Sequence, residues 1–260
     1  MPAKKLTNAM RCEYASLYDS AILNAAKANE VNAIVNRILQ NKSRYELVAN
    51  TTAVPWYFIA LIHNMEVSGK FTGHLHNGDP LTARTVQVPA NRPRLGTPPF
   101  TWEESALDAL NYEGFVGVNG WSISAMLFRL EKYNGFGSRN KGINTPYLWS
   151  YSQHYTKGKY VADGVWDANA VSKQAGAAVI LKQLQANTSA TIVIEKEPEK
   201  KYKKFWEVPH APKVVNPDAV ELQIFLNQFG FNLNPDGKAG NLTSDALFEF
   251  SGKRLVGDPR

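Results

Sequence analysis

Between residues 6 and 50 the apolar positions Leu17, Ile22, Leu23, Val31, Ile34, Val35, Ile38, Leu39 and Leu47 recur with a period near 3.6. That spacing predicts two or three amphipathic helices, interrupted around Asn29 to Asn32. The next stretch, TTAVPWYFIALIHNMEVSG, is unbroken apolar sequence from Trp56 to Ile62. With Thr51 or Thr52 as N-cap, Pro55 in the first turn and Gly69 as a stop, it predicts a buried helix ending near Ser68. From Gly69 to Pro99 the pattern becomes polar and rich in glycine, proline and threonine, which predicts a long loop or a small β-hairpin. TWEESALDALNYEG carries a capping box, Thr101 with Glu104, and closes on Gly114. NGWSISAMLFRLEKYNG predicts a further helix with Ile123, Leu127 and Leu130 on one face. Residues 134–165 lose all periodicity in a glycine- and aromatic-rich run, and a loop of that length is usually functional. DANAVSKQAGAAVILKQLQ returns to helical spacing, with Asp167 as its expected cap.

After about Asn187 the pattern changes to IEKEPEKKYKKFWEVPHAPKVVNPD, dense in Lys, Glu and Pro, which predicts a linker over 188–216. Beyond it, 217–260 predict a small helical domain built on PDAVELQIFLNQFG, a turn NPDGKAG, and LTSDALFEFSG. Residues 1–187 then form the larger, mainly helical domain. At 260 residues the chain suits two unequal domains.

Hydrophobic residues at 44% and charged residues at 20% describe a chain that buries a core. The net charge of +6 favours an acidic or polyanionic target: nucleic acid, a membrane surface or an anionic wall polymer. Cys12 is the only cysteine, which excludes an intramolecular disulfide and a thiolate metal cluster. Lys4, Lys5, Arg11 and Glu13 interrupt the N-terminal region where a secretory signal needs an apolar run. The longest apolar runs, WYFIALI and AGAAVIL, fall far short of the roughly 20 residues that span a bilayer. The expectation is a monomer made in the cytoplasm without a signal peptide and not inserted in a membrane.

The chemistry concentrates in HNMEVSGKFTGHLHNGDPL, His63 to Leu81. His63, His74 and His76 invite a metal, but they lack the H-E-x-x-H spacing that puts two ligands on one helix face, so no metal or other cofactor is expected. The carboxylate reading has more support. Ile59, Ile62 and Glu66 share one face of the predicted helix, which carries Glu66 inward. The negative end of the helix dipole and partial burial both push a carboxyl pKa up, as a general acid near neutral pH requires. A glycosidase also needs a group across the sugar, for which Asp79, with Thr85 holding a water, is the nearest candidate. Asp-Pro in a glycine-rich segment is equally ordinary turn chemistry.

The helix ending in Glu-x-Ser-Gly resembles the catalytic helix of the lysozyme-like superfamily, which includes goose-type lysozymes, soluble lytic transglycosylases and phage endolysins. The resemblance implies a lysozyme-like helical catalytic domain with Glu66 as general acid. Phage lysozymes of the T4 type place eight residues between this Glu and an Asp, and five more before a Thr. Here Asp79 and Thr85 keep the five-residue gap, but twelve residues separate Glu66 from Asp79. HLHNGDPLTARTVQVPANRP and the run from Asn134 are similar to bacterial and phage wall lysozymes, so the likeness covers about 50–185. EKYNGFGSR resembles the Tyr-Asn-Gly turn beside the glycan groove of lytic transglycosylases, which implies Tyr133 and Asn134 near the substrate. Tyr147, Trp149 and Tyr155 are candidates to stack on sugars because flat ring faces suit pyranoses, and His76 is a further substrate-binding candidate, although aromatics that pack a loop onto a core would look the same. The terminal segment VELQIFLNQFGFNLNPDGKAGNLTSDALFEF resembles the common peptidoglycan-binding domain, with Gln223, Phe229 and Asp236 as candidate ligand residues and Ser251 where that family usually has Gln.

Both resemblances imply one polymer, bacterial cell-wall peptidoglycan, and no nucleic-acid partner. The expected activity is that of an endolysin-type muramidase cutting the β-1,4 bond between N-acetylmuramic acid and N-acetylglucosamine after release to the wall. The alternatives are a lytic transglycosylase forming 1,6-anhydro products, a zinc peptidase or amidase, and a non-catalytic wall-binding protein.

Overall fold

The computed structural model describes residues 5–162, 164–188, 192–195, 205–228 and 231–260. Among them are ten α-helices and a single two-stranded antiparallel hairpin. The helices are α1 (Asn8–Ser20), α2 (Ala28–Gln40), α3 (Lys42–Thr52), α4 (Trp56–Val67), α5 (Trp102–Tyr112), α6 (Ile123–Asn134), α7 (Pro146–Trp149), α8 (Ala177–Thr188), α9 (Pro217–Gln228) and α10 (Asn241–Ser251). The hairpin pairs β1 (Lys159–Ala162) with β2 (Val165–Asp167).

The chain divides into two compact units, of which one comprises the described residues of Leu23–Trp121 and Gln174–Val193. Its centre is α4, where every residue from Trp56 to Met65 is buried. From Trp56 to Ile62 the helix is apolar on every side and has no solvent face to offer, so it must be enclosed. α3 and α8 pack on α4, α5 packs on α3, and α2 packs on α8. α4 ends in left-handed residues, Ser68 at φ 54° and Gly69 at φ 70°, whose amides return to the carbonyls of Asn64 and His63.

Two boundaries among the first four helices differ from the sequence expectation. The break in the N-terminal helices falls over 21–27, where the Asn24 side chain accepts the Ala26 amide, while Asn29 and Asn32 sit inside α2. Thr51 and Thr52 close α3 instead of capping α4. Thr52 Oγ1 donates to the Val48 carbonyl and accepts the Val54 amide, and Ala53 turns left-handed at φ 57°. The capping box of α5 is present with both bonds, Glu104 N to Thr101 Oγ1 at 3.2 Å and Thr101 N to Glu104 Oε2 at 2.7 Å. Between α4 and α5 the chain forms a loop with one isolated bridge, Gly73 with Pro80.

The other unit holds the described residues of Met1–Ile22, Ser122–Lys173 and Ile194–Arg260. α1 packs on α6, and a buried ionic group ties them: Arg139 bonds Glu13 at 2.6 Å and Glu131 at 2.8 and 3.0 Å, and Tyr14 donates to Glu131 at 2.6 Å. The hairpin begins inside the run that lacked periodicity and ends two residues beyond it, with Tyr160 opposite Trp166. Asp167 ends β2 instead of capping α8, because its Oδ1 accepts the amides of Asn169 and Ala170 in a turn, so the helix begins ten residues later at Ala177. α9 and α10 share a core of Leu222, Phe225, Leu226, Ala246 and Leu247, which Cys12 of α1 joins. Phe205 and Val208, from the stretch read as a linker, are buried in the same core, and the Phe205 amide donates to Ser16 Oγ. The rest of that stretch includes 189–191 and 196–204, which lie outside the described residues.

Candidate functional site

Glu66 occupies the last turn of α4, half-buried, one residue beyond the run that is fully enclosed. The carbonyl of its neighbour Met65 accepts the Gln174 side chain at 2.8 Å, and Arg37 donates to Asn64 at 2.8 Å, so the helix end is held on two sides. The following loop comes back against this turn. A Cβ built on Gly78 would lie 2.9 Å from Val67 Cγ1 and 3.9 Å from the Glu66 carbonyl oxygen, and Gly78 adopts φ 84°. Glycine supplies both the space and the left-handed backbone there. Asp79 follows directly.

Asp79 is 7% exposed and uses Oδ2 as an organiser. That oxygen accepts the amides of Val86 at 2.7 Å and Gln87 at 3.0 Å and the Asn77 side chain at 3.3 Å. Burial raises the Asp79 pKa, but these donors outweigh it and the carboxyl sits below its ordinary value. Thr85 is also committed: its hydroxyl donates to the Pro89 carbonyl at 2.6 Å and accepts the Arg92 amide at 2.9 Å. The two side chains therefore build one compact turn from 79 to 92.

The three histidines fasten the loop to the helices. Lys70 O can only accept, so His63 Nε2 carries the proton and Nδ1 accepts from Tyr45 at 2.9 Å. Burial, with Arg44 and Arg37 nearby, lowers the His63 pKa to about 4. By the same logic His74 donates to the Ala83 carbonyl and accepts from Ser105, each at 2.8 Å, while Ser105 takes the Leu75 amide. His76 Nε2 meets Asp108 Oδ2 at 2.9 Å, and burial lowers its pKa in spite of that carboxylate. Arg92 approaches the same carboxylate at 3.4 Å, and the Arg94 amide donates to it at 3.4 Å. Asp108 thus clasps both ends of the loop to α5. Among the described residues no three His, Cys, Asp or Glu side chains group as a metal would require.

The remaining candidates belong to the other unit. Tyr133 is half-buried and Asn134 exposed at the end of α6. Tyr147, Trp149 and Tyr155 are buried, Trp149 edge-on against His154 and Tyr155 bonded to the Ser172 amide, so they pack the loop onto its core and offer no open ring face. The aromatic pair that does reach solvent is Tyr160, 40% exposed, with Trp166 at a centroid distance of 5.1 Å. Gln223 is buried and stitches the turn, accepting the Gly237 amide and donating toward Asp236, Lys238 and Thr243. Gln223 and Asp236 border a groove of about 420 Å³ that Asn232, Asn234 and Lys238 also line. Phe229 lies outside the described residues. Sequence reasoning passed over Asp108 and the Tyr160–Trp166 pair. The i, i+4 spacing from Glu104 put Asp108 on a definable face of α5, but its partners arrive from a distant loop.

Compared with known protein families, with curated proteins and with solved structures, the chain matches none.

Proposed function

We propose that this chain is a peptidoglycan-degrading glycosidase of lysozyme-like architecture, with Glu66 as the acid that protonates the leaving glycosidic oxygen. The observation that carries the reading is the position of Glu66: a half-buried residue in the last turn of a helix enclosed from Trp56 to Met65, beside a loop held by side-chain bonds. A partly buried carboxyl is what a general acid near neutral pH uses. The amide-rich groove beside Asn232, Asn234 and Asp236 suits a polymer of N-acetylated sugars and peptides and supports a wall-binding role for α9 and α10. The net charge of +6 favours anionic walls.

One observation favours the lytic transglycosylase form. Asp79 spends Oδ2 on the backbone of its own loop, and a route in which the sugar's 6-hydroxyl attacks needs no second carboxylate. Mass spectrometry of released muropeptides tests both levels. Glu66→Gln is expected to abolish release, whereas unchanged release would sink the assignment of the acid. Products one water lighter than the hydrolytic ones mark the anhydro route.

A further inference from the structure

A second cavity, of about 360 Å³, lies in the unit that carries Glu66, and none of the candidate site residues lines it. One wall is α5, through Glu104, Leu107, Asp108 and Asn111, and the other is the segment after the loop, Pro93 to Gly96. The four α5 residues stand at i, i+3, i+4 and i+7, a single helix face about 10 Å long. Its volume falls in the range of small-ligand sites, roughly 300–1,000 Å³.

The lining has a definite chemical sense. Leu95, Leu107 and Val116 form apolar walls while remaining 85%, 39% and 36% exposed. Of the two lining charges, Asp108 is engaged by His76 and Arg92, whereas Glu104 has no cationic partner among the described residues. Its Oε2 takes the bonds of the capping box, and the amide of Thr101 holds its carboxyl below the ordinary value. On a chain of net charge +6, this cavity presents an anion over an aliphatic surface. Asn111 adds an amide at the far end of the same face.

We propose that this cavity binds the alkyl-ammonium side chain of the diamino acid in the wall peptide, which rests on the peptidoglycan reading above. The aliphatic stem lies along Leu95, Leu107 and Val116, the ammonium meets Glu104, and Asn111 faces the ligand's peptide group. The site would then read the peptide while α4 addresses the glycan.

The test uses full-length Glu66→Gln protein, so that binding is read without turnover, and follows the methyl resonances of Leu95, Leu107 and Val116. Nα-acetyl-lysine methylamide is expected to shift them, and the norleucine analogue, which lacks the ammonium, to shift them far less. Equal response to both probes, or to neither, overturns the proposal. Gln also serves in a capping box, so Glu104→Gln removes the charge and keeps the helix start. It is expected to weaken the lysine probe about three- to fivefold, the size of an exposed ion pair. Leu107→Arg, at an exposed helix position, is expected to abolish binding, and persistence of binding in that variant counts against the site. Muropeptides with a free diamino side chain should compete with the lysine probe and their side-chain-acetylated forms should not. If both compete equally, the wall-peptide assignment fails even where the amine probe binds. Loss of wall cleavage is read separately, in protein with Glu66 intact, so failure of the glycosidase reading leaves these binding outcomes distinct.

Discussion

Asp79 Oδ2 accepts the Val86 amide at 2.7 Å, seven residues on, and the turn so closed starts directly after Gly78, which lies against Val67 at the end of α4. A carboxylate in that position shapes the loop first. Hydrogen bonds to a charged group contribute about 1.5–3 kcal/mol each, so Asp79→Ala should destabilise the loop by roughly that amount or more. Hydrogen exchange is expected to show the Val86 and Gln87 amides losing protection. Asp79→Asn keeps an acceptor oxygen and should retain both protection and wall clearing. A loss of about a hundredfold or more in clearing, with protection intact, would instead identify Asp79 as a general base.

His63 makes stability depend on pH. In the unfolded chain its imidazole protonates below the ordinary 6.5, but in the fold burial holds the pKa to about 4. Between these values the unfolded state binds the additional proton, so stability falls as pH drops through that window and is recovered above it. The full effect is about 3 kcal/mol at most. Denaturant melts from pH 4 to 7 should show this slope, and His63→Gln, which cannot titrate, should reduce it. His76, whose pKa burial also lowers, adds to the slope in the same direction.

Gly78 and Gly114 separate two kinds of glycine cost. Both have positive φ, 84° and 70°, but only Gly78 has a neighbour, Val67 Cγ1, within reach of an added Cβ. Gly114→Ala should cost about 1 kcal/mol from backbone strain alone. Gly78→Ala should cost more and should also lower wall clearing, because the clash is with the turn that carries Glu66. Thermal melts paired with turbidity assays separate the two effects.

Cys12 reports on the α9–α10 core. It is 3% exposed, and burial, with Glu221 and Asp218 nearby, pushes its thiol far above the ordinary value. Thiol reagents should label it slowly in the native protein. Phe225 stacks on Phe205 at 4.7 Å within that core, and Phe225→Ala should cost about 3–5 kcal/mol and accelerate Cys12 labelling. Fast labelling of the unmodified protein would contradict the packing of α1 against this core.

The helices were legible where one local signal sufficed. The capping box at Thr101 and Glu104, the continuous apolar run of α4 and the stop at Ser68–Gly69 are each determined by neighbours within one or two turns. The misplaced features, Thr52 as a cap for α4 and Asp167 as a cap for α8, come from residues with short polar side chains that serve a turn or a helix end equally well. Only the backbone around them decides which.

By itself the sequence determined the helical period, the enclosed character of α4 and the placement of Glu66 on its final turn, because side-chain direction along a helix follows from spacing alone. Tertiary structure decided what the loop residues do. His63, His74 and His76 became fasteners because Tyr45, Ser105 and Asp108 come from other helices, and Asp79 became a turn organiser because Val86 and Gln87 present their amides to it. It also buried Tyr147, Trp149 and Tyr155 and left Tyr160 open, since exposure depends on which elements pack over a ring and not on the ring itself.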